Sequence, residues 1–456
     1  MARYIKKNNL SLNEIIFFGL IFSTVFILTY NIFHYAPILG YDAEAHNAYV
    51  DFVARYLPNK FILPTSEITR EFFNPPVGYI FPSIAQVICR NVIESSNFLA
   101  DCQPLYGKAT QVLQAILYLL TIGINLYTLK LFNNSKSLIN PSYFLLTSLL
   151  AVNYRTISMI RGEPYILFFM SLFMLQILLI ENKNYKLSTL SIISMGFTIA
   201  ALALSRQWAF LLFIPVVVIT FLRSDRISKL RFWFPSAVTG FILSGWFYLN
   251  LYFKYGSFTA FNMKPTKVSL TQQNLNVFIP NYEQMSTLFT KPIRPFLDNQ
   301  FLTILYSDLW GDYWGYFSFT SRYLDIGRDQ LMIGDFLGRV NILSLFTSMI
   351  IITFCFLTHK YYKSNYFIRY VSYAIISSFV GYLIFFILFP TSSGDTIKAT
   401  YIIQAFHLMV FLASIYLNNL KEKNKKLYFT ILTILIIIYS HNYQTYLSHF
   451  PSNFLT

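Results

Sequence analysis

Within "GYDAEAHNAYV", Gly40 to Val50, a chain poor in carboxylates sets Asp42, Glu44 and His46 at alternate positions, just beyond a hydrophobic run long enough to cross a bilayer. Carboxylates and an imidazole take and give protons, so acid–base chemistry at a membrane edge is the first reading. In a helix beginning near Asp42, His46 lies one turn on and Tyr49 another, so those three share a face while Glu44 points elsewhere. Asp42 could equally cap that helix, its carboxylate accepting backbone N–H groups, and the two roles are compatible. Alternate Asp, Glu and His converge on one metal ion only from an extended strand, whereas "DAEAHNAYVDFVARYL" has helical periodicity. A divalent metal is thus compatible with the chain but not indicated, and no cofactor is required.

Further along comes "EITREFFNPPVGYIFPSIAQVI". Pro75 and Pro76 hold Asn74 out of the helical region, after which an apolar helix of about a dozen residues can lie along the bilayer surface. That arrangement would fix Glu71 and Asn74 near the membrane plane. Arg155, Arg161, Arg206 and Lys398 map to the non-cytoplasmic ends of hydrophobic runs, against the usual bias, so each asks for an anionic partner. Arg161 has Glu163 nearby and Lys398 has Asp395, whereas Arg206 has no acid close in sequence and is the first choice for a bound anion, with Lys398 second. In "ILYSDLWGDYWGYFSF", Trp310, Tyr313, Trp314 and Tyr316 surround Asp308 and Asp312; such rings stack on sugar faces and also anchor at headgroup depth. Gly311 and Asp312 read as a shaped turn, which makes Asp312 and Trp310 candidate substrate contacts.

These residues have to be held by membrane helices. The chain has 456 residues, 55% hydrophobic and 12% charged, with a mean hydropathy of +0.49, which excludes an ordinary soluble domain. Apolar runs of suitable length predict an all-α polytopic membrane protein with about eleven spans: Leu12–Phe33, Lys108–Leu131, Pro141–Ile160, Pro164–Ile180, Leu187–Leu204, Trp208–Leu222, Phe232–Tyr252, Ile342–Leu357, Phe367–Phe389, Tyr401–Leu417 and Leu427–Ser440. The net charge of +15 is explained by alternate connections, "MARYIKK", "LKLFNNSK", "ENKNYK", "RSDRISKLR", "HKYYKSNYFIR" and "KEKNKK", which the positive-inside rule makes cytoplasmic. No basic soluble module exists for a nucleic acid to bind. The N-terminus is then inside and the C-terminus outside, and the first run, which lacks a small-residue cleavage site, is a retained span.

Residues 1–456 read as one integral-membrane domain with two large outer loops, about 34–107 and 253–339, containing short interfacial helices. Cys89 and Cys102 share the first loop, where an oxidising compartment permits a disulfide; two small buried side chains are the alternative. Cys355 lies within a span. The outer loops contain no N-x-S/T acceptor, which favours a bacterial plasma membrane over the endoplasmic reticulum.

An acidic residue just after the first span, then a carboxylate followed by "NPPVGY" before the second, resembles the GT-C glycosyltransferase superfamily. The nearest in pattern are the protein O-mannosyltransferases and the aminoarabinose transferases of lipid A. "SMIRGEPYILFF", "ALSRQWAFLL" and "SGDTIKATYIIQAFHL" are similar to later outer turns of that family. The resemblance implies an inverting transfer of a hexose or pentose from a polyprenyl-phosphate donor to a lipid, glycan or protein acceptor on the outer face. It implies a first-loop carboxylate as base, Asp42 or Glu44, with Glu71 in the same catalytic group. Arg206, Lys398 and Arg161 would hold the donor phosphate, and His46, Asn74, Glu163, Trp310, Asp312 and Tyr401 would contact substrates. Two departures stand out: Thr400 occupies a position where the family often has Arg, and Asp42-Ala43-Glu44 replaces adjacent acids. A polysaccharide polymerase or ligase would rely instead on a late outer loop such as "RYLDIGRDQLMIGDFLGR", and has no need of Asp42 and Glu71. A transporter of lipid-linked sugars calls for ionisable groups in mid-span, which these runs almost lack.

Overall fold

The structure is a computed structural model and describes residues 11–92, 98–182, 188–262, 277–294, 296–297, 300–318, 328–389, 391 and 394–448. Its helices are α1 (Leu12–His34), α2 (Ala43–Tyr56), α3 (Val77–Val92), α4 (Phe98–Phe132), α5 (Pro141–Ser148), α6 (Ala151–Ser158), α7 (Glu163–Glu181), α8 (Thr189–Ser205), α9 (Ile214–Phe221), α10 (Arg226–Tyr255), α11 (Tyr282–Thr290), α12 (Phe301–Trp310), α13 (Arg328–Tyr361), α14 (Tyr366–Leu388), α15 (Ile403–Lys423) and α16 (Lys425–His441). Tight 3-10 turns at Gln207–Leu212 and Ala399–Ile402 precede α9 and α15. No β-strand occurs among the described residues.

Among the described residues, six segments are long and apolar enough to cross a membrane: Leu12–His34, Asp101–Phe132, Glu163–Glu181, Ile333–Tyr361, Tyr366–Leu388 and Ala399–Lys423. This is the architecture of a helical membrane protein. The other five expected spans also fall on helix, but in different forms. Residues 141–160 form two eight-residue helices, α5 and α6. The chain opens at Leu150, and the Thr147 carbonyl at the break accepts from the Asn153 side chain at 3.0 Å as well as from Leu150 N at 3.3 Å. Residues 208–222 divide into a 3-10 turn and α9, whose early Pro215 suits a helix start. α8 and α16 have 17 residues each, and α10 runs for 30 with Pro235 inside it.

α15 is the hub. It is sheathed by α5, α7, α13, α14 and α16, and every residue from Ile403 to Leu408 is buried. α8 and α10 approach closely because each presents glycine: a Cβ on Gly240 would lie 2.6 Å from Ile199 Cγ2.

After α1, α2 and α3 pack together and α3 packs on α4. Cys89 and Cys102 are joined, tying α3 to α4. Asp51 of α2 accepts from Gln86 at 2.7 Å and from Gln103 at 2.9 Å, so all three helices meet on one carboxylate. Ile84, Ile88 and Val92 form an exposed stripe on α3 at helical spacing, as expected of a helix lying along a bilayer. The connection between α10 and α13 contributes α11 and α12, and every side chain at the last four positions of α12, Ser307 to Trp310, is buried.

The topology is testable at exposed positions. In a Cys355→Ser background, a cysteine at Lys60 should react with an impermeant maleimide applied outside the cell, and one at Lys425 only after permeabilisation. The reverse pattern would overturn the assigned sidedness.

Candidate active site

The chain after α1 reverses through Gly40 and Tyr41 into Asp42, whose φ of +63° places it in the left-handed region. Asp tolerates that region better than most residues, at some cost in strain. Asp42 stands at the N-cap of α2, yet its carboxylate makes no cap hydrogen bond; its backbone carbonyl accepts from His46 N instead. The capping role expected for the side chain is therefore absent, because the left-handed turn aims the carboxylate away from the helix. Oδ2 receives Lys398 Nζ, and Oδ1 receives Arg70 at 2.9 Å. Burial alone would raise the Asp42 pKa, but Lys398 and Arg161 outweigh it and hold the carboxyl below its ordinary value.

Lys398 is fixed from beneath. Tyr382 of α14 accepts from Lys398 N at 2.6 Å and donates to the Thr396 carbonyl at 2.9 Å. Asp308 of α12 accepts from Ala399 N at 2.7 Å and pairs with Arg155 of α6 at 2.8 Å. Arg155 also donates to the carbonyls of Asp308 and Gly311. Burial would favour the neutral lysine, but Tyr401 and Asp42 raise its pKa and keep it charged.

A second cluster lies alongside. Arg206, just past α8, donates to Glu163 Oε1 from Nε at 3.0 Å and from Nη2 at 2.7 Å, and to Asn74 Oδ1 from Nη1. The Asn74 amide in turn donates to Glu71. Burial, reinforced by the charge of Asp42, raises the Glu71 pKa against the pull of Arg206. The loop is pinned to α2 by Thr69, donating to the Ala45 carbonyl at 2.7 Å, and by Tyr49, donating to that of Asn74 at 3.2 Å. Gly162 is small for a reason: a Cβ there would strike the Ser205 carbonyl and lie 3.0 Å from Arg206 Cγ.

The pairings differ from those expected from neighbouring positions in sequence. Glu163 takes Arg206 and not Arg161; Lys398 takes Asp42 and not Asp395, which lies 3.7 Å from Arg294. Arg161 donates to the Tyr41 carbonyl at 2.7 Å and stacks 4.2 Å from the Tyr41 ring centroid. Among the described residues no carboxylate forms an ion pair with it, although it is buried.

The His46 ring makes its hydrogen bond away from the Asp42 carboxylate. It bonds Tyr79 at 2.6 Å in a buried layer with Tyr49, and burial with nearby Arg161 holds its pKa well below the ordinary value. Glu44 is exposed on α2 and makes no ion pair among the described residues. Trp310 and Asp312 are interior: Asp312 accepts from Phe317 N and Ser318 N at 2.8 Å each and lies 3.6 Å from Arg155. That pattern is a turn clamp, and neither residue lines the large cavity. The late-loop segment beginning at Arg322 lies partly outside the described residues.

The cavity holds about 990 Å³. Glu71, Asn74, Arg206 and Tyr401 collect at one end, and the rest is almost wholly apolar, from α8, α9, α10 and α14. Along α10 it runs from Leu230 to Leu249, about 28 Å of helix, close to the roughly 30 Å of a bilayer's hydrocarbon. Val217, Phe221, Phe234 and Phe241 line it and are yet 54%, 58%, 69% and 61% exposed, so its wall is open sideways. Tyr401 is stacked on Trp208 with ring centroids 5.5 Å apart, and its hydroxyl lies 3.4 Å from Lys398 Nζ. Asp42 does not line the cavity; it stands behind Lys398 and Tyr401. Among the described residues no group of three His, Cys, Asp or Glu side chains has metal-binding geometry.

No protein-family profile matches the chain, and no curated protein matches it. Among solved structures it is similar to the crystal structure of the Archaeoglobus fulgidus oligosaccharyltransferase complexed with Zn and sulfate, at 13% identity and a TM-score of 0.49. That match covers 94% of this chain and 53% of the archaeal one, so the chain spans about half the length of that enzyme.

Sequence reasoning brought Asp42, Glu71, Asn74, Glu163, Arg206, Lys398 and Tyr401 to one region but missed Arg70, Tyr79 and Tyr382. Arg70 adjoins Glu71 in the same loop, a signal that was available. The two tyrosines carry none, since a buried hydroxyl and a packing ring look alike in sequence.

Arg155 with Asp308 is a buried pair, so removing one partner leaves an uncompensated charge. Arg155→Leu should cost about 3–5 kcal/mol, read as a lowered midpoint of thermal unfolding in detergent; an unchanged midpoint would refute the anchoring role.

Proposed function

We propose that the chain is an inverting glycosyltransferase that moves a sugar from a polyprenyl-phosphate donor to an acceptor hydroxyl on the non-cytoplasmic face of a bacterial plasma membrane. The observation that carries this reading is the cavity: a largely apolar channel about as long as a bilayer's hydrocarbon is thick, whose charged residues, Glu71 and Arg206, lie with Asn74 and Tyr401 beside a carboxylate–lysine pair. A long isoprenoid matches the apolar length, and its phosphate matches the end bearing Arg206 and Tyr401. The eleven crossings belong to this reading, with α5–α6 and the turn before α9 as broken spans.

Asp42 takes the proton of the acceptor hydroxyl while the oxygen attacks the anomeric carbon from the face opposite the phosphate. The bond from that carbon to phosphate oxygen breaks, its electron pair leaving on the lipid phosphate, and the anomeric configuration inverts. Arg206 and Lys398 stabilise the charge that develops on the phosphate. Phosphate needs no second carboxyl as acid, so Glu71, its pKa raised, serves by ordering Asn74 and Arg206. Arg206 enters the site already matched with Glu163 and Asn74, which fixes its guanidinium for a planar phosphate contact.

Mass spectrometry of lipid-linked sugars and envelope glycans, with and without the protein, should show one hexose or pentose product disappear and its lipid donor accumulate. An unchanged glycan and donor profile would reject the proposal. Asp42→Asn should lower turnover by about 10²- to 10⁴-fold with thermal unfolding preserved; near-normal turnover would remove the base assignment. Because cations depress the Asp42 pKa, wild-type activity should show no loss from this group between pH 8 and about 5. Removing one cation lets the carboxyl keep its proton to higher pH, so Lys398→Met should move the acidic limb of the rate profile upward; a limb in the same place would contradict the coupling.

A further inference from the structure

Asp42 has two oxygens and two cations, and the cations are unlike. Lys398 on Oδ2 has 6% of its side chain exposed, is held by Tyr401 and sits 4.6 Å from the Tyr41 ring centroid. Arg70 on Oδ1 has 58% of its side chain exposed, and that ion pair is its one polar side-chain contact among the described residues. The other charged or titratable groups facing Asp42 are Arg161, His46, Glu71 and Tyr401.

Each Asp42 oxygen holds one cation, and each cation takes one lone pair and lowers the carboxylate's pull on the proton of an incoming hydroxyl. Release of one cation makes the carboxylate a stronger base, and Lys398 is the costly one to release because its charge is buried and would be left unmatched. Arg70 is the looser partner because most of its side chain meets solvent, and a guanidinium gains a stronger, two-pronged bond from a phosphate. We propose that Arg70 is a displaceable guard on the base: it occupies Asp42 Oδ1 in the empty protein and transfers to a phosphate-bearing substrate, freeing that oxygen for the acceptor proton. This rests on the transferase reading and adds to it a positioning residue that couples substrate arrival to release of the base. The phosphate belongs either to the lipid donor or to a phosphorylated acceptor.

The test uses the full chain in zwitterionic nanodiscs, with undecaprenyl phosphate and, separately, glucose 6-phosphate as probes. Arg70→Gln should weaken binding of one probe by about fivefold or more, and Arg70→Lys should recover part of it. Asp42→Asn, which liberates the guanidinium, should tighten binding, and most of that gain should vanish in the Asp42→Asn, Arg70→Gln double variant. A residue with a purely structural role moves the unfolding midpoint but not this coupling. Arg70-dependent binding of undecaprenyl phosphate assigns the anion to the donor, and Arg70-dependent binding of glucose 6-phosphate alone assigns it to the acceptor. Wild-type affinity in Arg70→Gln for every probe that binds overturns the guard while leaving the transferase reading intact. Failure of the wild-type protein to bind either probe overturns the transferase reading, and the guard with it.

Discussion

The ion pair between Lys398 and Asp42 joins residues 356 positions apart, and the turns and loops around it hold the two together. Each charge is too buried to stand alone, so each demands a partner, and every partner is held by another element. Asp42 is delivered by a left-handed turn, Lys398 by a turn clamped between Tyr382 and Asp308, and Asp308 by Arg155. Arg206 with Glu163, Asn74 and Glu71 forms a parallel chain a few residues away. The region is therefore nearly charge-balanced within itself. That balance permits a cluster of ions beside hydrocarbon, and it sets the problem that any anionic ligand must solve by exchanging one partner for another.

Much of this was legible in the sequence. The apolar runs located the helices because their length and composition are dictated by the bilayer, and scarcity of charge made Asp42, Glu71, Arg206 and Lys398 conspicuous. Pro75 and Pro76 announced the start of α3 at Val77, but the residues ahead of them, 71–74, form turns and a bend where an extended run was expected. Pairings were less accessible. Proximity in sequence suggested Arg161 with Glu163 and Lys398 with Asp395, whereas the fold joins Arg206 to Glu163 and Lys398 to Asp42 across long chain separations. A helix-break such as Leu150 was hidden as well, since apolar residues on both sides give the same periodicity whether the run is continuous or broken.

The aromatic segment around Trp310 shows a different limit. Trp310 and Asp312 look suited to sugar in sequence, yet in the fold they pack inward, where Asp312 closes a turn and approaches Arg155. An interior aromatic and a binding aromatic differ in what surrounds them, and a single sequence does not carry that information. Tyr401 is the converse. It opens a buried helix, yet the cavity brings its ring to the polar end, supported by Trp208.

The sideways opening of the cavity bears on how concentration is felt. A molecule with a long hydrocarbon tail reaches such a slot by drifting within the leaflet, without passing through water, so occupancy follows its mole fraction among neighbouring lipids and not its amount per volume of cell. Fluidity, thickness and crowding of the bilayer would then act on throughput as directly as any side chain does.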